Sequence, residues 1–118
     1  MPNQASNQYH LTKLYSFIGE EPGPVKEMVV IFLQSSTELL QDISTGITLQ
    51  DFEKISKAAH KLKPSLDIFG IDDMYDTIRE IELNARNKTN PDLIKQRIDQ
   101  LENRLKPAIL QMREDYSL

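Results

Sequence analysis

Residues 54–70 read KISKAAHKLKPSLDIFG. With Phe52 just before it, this stretch carries Phe52, Ile55, Ala59, Leu62, Leu66 and Phe69 at successive spacings of 3, 4, 3, 4 and 3. Those spacings put all six side chains on one face of an α-helix. Projected at about 100° per residue, the apolar stripe centres near Ala59, Leu62 and Leu66, and His60 lies roughly 130° away from it. His60 is therefore expected on the outer face of a helix whose other face is core. Pro64 removes an N–H that would otherwise bond the His60 carbonyl, and its ring crowds that carbonyl. Because Leu62, Leu66 and Phe69 stay in phase across it, the spacing predicts a kinked but continuous helix, ending before Gly70.

Working outward, apolar residues recur at helical spacing nearly everywhere, and no segment alternates strictly enough to read as a strand. A short first helix is expected over Tyr9 to Ile18, with Leu11, Leu14, Tyr15 and Ile18 inward and Gly19 as its stop. Residues Glu20 to Pro24, with two prolines and a glycine, read as a turn. A long second helix follows from about Pro24 to Ser44, closed by Thr45 and Gly46, and Thr48 reads as the N-cap of the third. Asp72 or Asp73 opens a fourth helix with Met74, Tyr75, Ile78, Ile81 and Ala85 inward. Asn87 to Asn90 form a polar turn, and Asn90-Pro91 starts a fifth helix carrying Ile94, Ile98, Leu101, Leu105 and Met112. Pro107 predicts a kink or break in it. Short polar connections between long amphipathic helices favour antiparallel neighbours. The expected fold is all-α: an antiparallel up-down four-helix bundle over residues 9–118, with a short additional N-terminal helix and a disordered or loosely ordered segment at 1–8.

Composition removes several kinds of chemistry. The 118 residues suffice for one domain, and 39% are hydrophobic and 27% charged, which is ordinary globular usage. There is no cysteine, so disulfides, thiolate metal sites and cysteine nucleophiles are excluded. Only His10 and His60 are present, which argues against a histidine-rich metal site. His10 has no motif around it and reads as a surface residue near the first helix. The four glycines form no phosphate-cradling loop, so nothing points to an ATP site of the chain's own. A net charge of -4 disfavours non-specific binding to nucleic acid or to anionic membranes. No apolar run approaches the roughly 20 residues that span a bilayer, and the first residues lack the parts of a signal peptide, so a cytoplasmic protein is expected.

Against that acidic background, Lys54, Lys57, Lys61 and Lys63 place four of the fourteen basic residues within ten positions, with no acid between Glu53 and Asp67. A local positive patch suits an acidic or phosphorylated partner. Small residues around it, Ala58, Ala59 and Ser65, are expected to leave the backbone approachable.

The run Ala59-His60-Lys61-Leu62-Lys63-Pro64-Ser65, followed by Gly70, resembles the AHxLKGS…G signature of histidine-containing phosphotransfer (HPt) domains, and the four-helix plan from about Leu11 to Met112 is similar too. The resemblance implies that His60 is phosphorylated by the aspartyl-phosphate of a response-regulator receiver domain and passes the group to another receiver, in a relay fed by a hybrid sensor histidine kinase. An imidazole with its unperturbed pKa of about 6.5 is a competent nucleophile near neutral pH. Lys63 is implied beside the phosphoryl group, offsetting its charge. Ser65 takes the family's hydrogen-bonding serine position, and Gly70 its small residue for close helix packing. Pro64 stands where the family usually has glycine, on the surface a receiver approaches. Lys57 and Lys61 are not signature positions, and charge alone assigns them to docking. The resemblance implies a phosphocarrier rather than a kinase, with no cofactor of its own and Mg²⁺ on the partner receiver. A monomer is expected, since no exposed apolar face demands pairing.

Two other readings compete. A degenerate bundle could dock a receiver without chemistry, although His60 and Lys63 argue against degeneration. A carboxylate site at Asp72, Asp73 and Asp76 is the weaker rival, because acids at helix N-termini ordinarily just complement the helix dipole. A di-metal carboxylate bundle would need inward Glu-x-x-His pairs, and there are none.

Overall fold

The computed structural model describes residues 8–118. Five α-helices follow in order: α1 (Thr12–Ile18), α2 (Pro22–Leu49), α3 (Phe52–Ile68), α4 (Tyr75–Asn87) and α5 (Pro91–Asp115), with a 3₁₀ turn at Asp72–Met74 leading into α4. No strand occurs among the described residues. Helix α2 packs on α3, α3 on α4 and α4 on α5, while α5 returns to α2 and α1 lies against α2. Only Gln50 and Asp51 separate α2 from α3, and only Lys88 to Asn90 separate α4 from α5. Connections that short turn each helix back along its predecessor, which gives the up-down bundle expected from the sequence.

The core is the sum of the apolar stripes. Ile43 of α2, Ile55 and Leu62 of α3, Ile78 and Ile81 of α4, and Ile94 and Leu101 of α5 are all fully buried. Helix lengths are unequal, with 28 residues in α2 and 25 in α5 against 17 in α3 and 13 in α4. At about 1.5 Å per residue α2 spans roughly 42 Å, which matches the 43 Å long axis of the molecule. The α3–α4 hairpin therefore covers only part of the α2–α5 pair. The N-terminal segment fastens to α5: the Tyr9 hydroxyl donates to Asp115 at 2.5 Å, and Arg104 donates to the Gln8 carbonyl at 2.9 Å. Gln8 is thus tied down, while the rest of the segment expected to be loose lies outside the described residues.

Several boundaries differ from the sequence reading, each for a local reason. Helix α1 starts at Thr12, not Tyr9. Helix α2 starts two residues early, at Pro22, because both prolines fit a first turn whose N–H groups have no intrahelical partner. It also runs through Thr45 and Gly46 to Leu49. Gly46 is a packing residue rather than a stop: a Cβ there would meet Ile55 Cγ1 of α3 at 2.6 Å. The cap of α3 is accordingly Asp51, whose side chain accepts from Lys54 N–H at 3.1 Å. Thr48 instead donates back to the Ser44 carbonyl, inside α2. Helix α5 passes through Pro107 without a break, with Ala108 and Met112 still buried beyond it. The 3₁₀ turn, tighter than an α-turn, shifts the phase ahead of α4. Ile71 takes the inner position there, and Tyr75, expected inward, is exposed.

Candidate functional site

Burial of Ile55, Ala59, Leu62 and Leu66 fixes the rotation of α3, and the His60 side chain consequently stands 69% exposed. The helix is continuous through Pro64, as the phase of its stripe requires. Across the seam, α4 buries Ile78, Ile81 and Ala85 and, within the same stripe, the carboxylate of Glu82, which is 5% exposed.

A carboxylate in such a place stays ionised only if its lone pairs are taken up. Three donors do so. His60 Nδ1 lies 2.7 Å from Glu82 Oε2, Arg86 Nη2 donates to the same oxygen at 2.7 Å, and Lys63 Nζ donates to Oε1 at 2.7 Å. Helical geometry makes this possible, since residues three or four apart share a face: His60 with Lys63 on α3, and Glu82 with Arg86 on α4. Burial alone pushes the Glu82 carboxyl up, but the hydrogen bonds from Lys63 and His60 outweigh it and hold the group below the ordinary carboxylate range. An ionised carboxylate only accepts, so the contact assigns the ring proton of His60 to Nδ1. Nε2 then carries the lone pair, on a ring that is mostly in solvent.

The other residues singled out from the sequence fall into two groups. Lys57, Lys61 and Pro64 are exposed and lie within about 100° of His60 around α3, so they share its outer face. Lys57, however, is paired with Glu53 at 2.9 Å, and that bond raises its pKa. Its charge is partly spent within the helix. Ser65 and Gly70 are not brought to His60. Ser65 sits about 140° around the helix from it, and Gly70 is about 15 Å further along. Gly70 does serve close packing, but against the N-terminal segment rather than another helix: its φ is +73°, and a Cβ would meet His10 Cβ at 2.6 Å and His10 N at 2.9 Å. His10 is exposed next to α1, as expected, and its N–H donates to the Phe69 carbonyl at 2.9 Å, so its backbone closes this end of α3. Ala58 and Ala59 are buried, 3% and 0% exposed, so they pack into the core instead of opening the backbone to a partner.

Glu82 and Arg86 were missed by reading the α3 motif alone. A signal existed: Ile78, Ile81, Glu82 and Ala85 fall at i, i+3, i+4 and i+7, which places an acid on the inner stripe of α4. Only a partner across the seam makes such a placement stable.

No helix among the described residues is long and apolar enough to cross a membrane. Searches among curated proteins and among solved structures gave no significant match. A family model described as Hpt domain matches residues 27–107. That span holds more than half of the chain, including the whole of α3 and α4, and carries His60, Lys63, Glu82 and Arg86 with it. Helical bundle, outward histidine and family match agree, and the chain belongs to the Hpt domain family.

Proposed function

We propose that the protein is a phosphocarrier in a multistep phosphorelay, with His60 as the phosphoacceptor. The observation that carries this is the exposed imidazole of His60 held at Nδ1 by a buried carboxylate, in a chain of the Hpt family. The Nε2 lone pair attacks the phosphorus of a receiver's aspartyl-phosphate. The Nε2–P bond forms, the P–O bond to the aspartate breaks, and its electron pair leaves with the aspartate carboxylate. The Nδ1 proton stays where it is. The ring becomes a phospho-imidazolium, and its positive charge faces Glu82. Onward transfer reverses these changes: the P–N bond breaks, its electrons return to Nε2, and a second receiver's aspartate takes the phosphoryl group. Keeping the Nδ1 proton throughout means that the leaving group is a neutral imidazole in every transfer, with no proton to fetch from water.

Family membership implies work with response-regulator receiver domains and kinases. In this reading a hybrid sensor kinase feeds the relay in the cytoplasm, the receiver supplies Mg²⁺, and this chain contributes the nucleophile and its setting as a monomer without kinase activity. Lys63 offsets phosphoryl charge, and Lys57, Lys61 and Pro64 form part of the surface that a receiver meets.

The test is phosphoryl transfer from a panel of phosphorylated receivers to the parent and to His60→Gln. Acid-labile, alkali-stable label on the parent alone supports the carrier. Binding of receivers without transfer from any of them would make this a docking-only bundle. Melting of His60→Gln should stay close to the parent's, since the side chain is mostly in solvent and a glutamine amide, Lys63 and Arg86 still offer donors to Glu82.

A further inference from the structure

The three groups around Glu82 differ in how free they are to leave it. The carboxylate is 5% exposed and fixed on α4 by a buried turn. Lys63 is 30% exposed and Arg86 59%, and both hang on long side chains that reach the carboxylate from opposite sides of the seam. The cations can move; the anion cannot. A phosphoryl group carries close to two negative charges near neutral pH and three strong acceptor oxygens. Once on Nε2 it sits on the other edge of the ring that Glu82 holds, so two anions then face one pair of cations.

Resting on the reading of His60 as phosphoacceptor, we propose that Lys63 and Arg86 are exchanged between Glu82 and the phosphoryl group, and that Glu82, by competing for them, sets how readily phosphohistidine gives its phosphoryl group up. In the unphosphorylated protein Glu82 holds all three donors. In the phosphorylated protein Lys63 and Arg86 turn toward the phosphoryl oxygens, and Glu82 keeps only the Nδ1–H of His60. A buried carboxylate short of partners is costly. Phosphoryl transfer to an acceptor aspartate lets the cations return and restores its full set. Glu82 therefore opposes storage of the phosphoryl group and favours passing it on. A neutral amide at position 82 would still accept from Nδ1–H but would not compete for the cations.

The proposal is tested without any receiver, by loading the full chain with phosphoramidate, whose P–N bond breaks with loss of ammonia as Nε2 takes the phosphoryl group. The samples are the parent, Glu82→Gln, Arg86→Met, and His60→Gln as the control for label elsewhere. Two readouts are taken: the side-chain nitrogen resonances of Arg86 and Lys63 before and after loading, and the lifetime of the phosphohistidine. Loading the parent should shift both sets of resonances. The lifetime should lengthen about three- to tenfold in Glu82→Gln, the scale of one net hydrogen bond, and shorten in Arg86→Met. Unmoved Arg86 and Lys63 resonances in a loaded parent, or an unchanged or shorter lifetime in Glu82→Gln, would overturn the exchange while leaving His60 as the carrier. A parent that takes no more label than His60→Gln would overturn the carrier reading itself, and the exchange with it.

Discussion

Two glutamates, one on α3 and one on α4, are each paired with a lysine of α3. Glu53 lies on the outer face, 74% exposed, with Lys57 at 2.9 Å. Glu82 lies in the seam with α4, 5% exposed, with His60, Lys63 and Arg86 all at 2.7 Å. The chemistry of the groups is nearly the same and the surroundings are not. Water and salt screen the outer pair, whose side chains keep most of their rotamers, so it leaves little trace on the fold. In the seam the buried carboxylate has little water to return to, so it depends on its three partners. The outer face of α3 thus offers charge to a partner, and the inner seam offers position to a nucleophile.

Replacing each acid by alanine is the sharpest way to break this contrast. Glu82→Ala should cost about 1–3 kcal/mol of stability and let the His60 ring populate both tautomers, seen in its nitrogen shifts. Glu53→Ala should leave melting and tautomer unchanged within experimental scatter. Equal effects of the two substitutions would erase the distinction between face and seam.

Acid titration separates the two regions more gently. Glu82 is held below the ordinary carboxylate range in the folded protein, so the unfolded chain binds a proton there first as the pH falls. Its contribution is complete above about pH 4.3, the unperturbed value for glutamate, and is lost as the pH falls through the lower folded value. The melting difference between the parent and Glu82→Gln should therefore be constant near neutrality and shrink in acid. A difference that persists unchanged at the lowest workable pH would mean that the carboxylate charge is not what the seam uses.

The smallest effects belong to the outer face. Lys57→Glu with Lys61→Glu should weaken receiver docking about two- to tenfold at low salt, and less as salt rises. Because Lys57 is already engaged by Glu53, Lys61→Glu alone should account for most of the loss. Equal weakening by the two single substitutions would show that the Glu53 pair opens at no cost on docking.

What was legible in the sequence follows the same division. The stripe Ile55, Ala59, Leu62 and Leu66 set the rotation of α3, and with it the exposure of His60, because burial of a periodic face is a local property of the chain. Continuity through Pro64 followed from phase. The end of α2 was misread because Gly46 looks like a stop in one dimension, whereas its reason lies in Ile55 of the next helix. Tyr75 falls on the inward phase of the α4 pattern yet is exposed, because a 3₁₀ turn leaves no periodic mark of its own. The seam was the larger loss: Glu82 is 22 positions from His60, and helix-by-helix reading does not say which faces meet. Its one local trace is an acid inside the apolar stripe of α4, whereas Ser65 and Gly70 fall within the motif without being brought to His60.

The most direct test is the position of phosphorus on the loaded protein, read by nitrogen–phosphorus correlation in the phosphorylated, ¹⁵N-labelled chain. A single phosphohistidine at His60 is expected, bonded through Nε2, with the proton retained on Nδ1. Phosphorus on Nδ1, or on His10 with His60 unmodified, would contradict it.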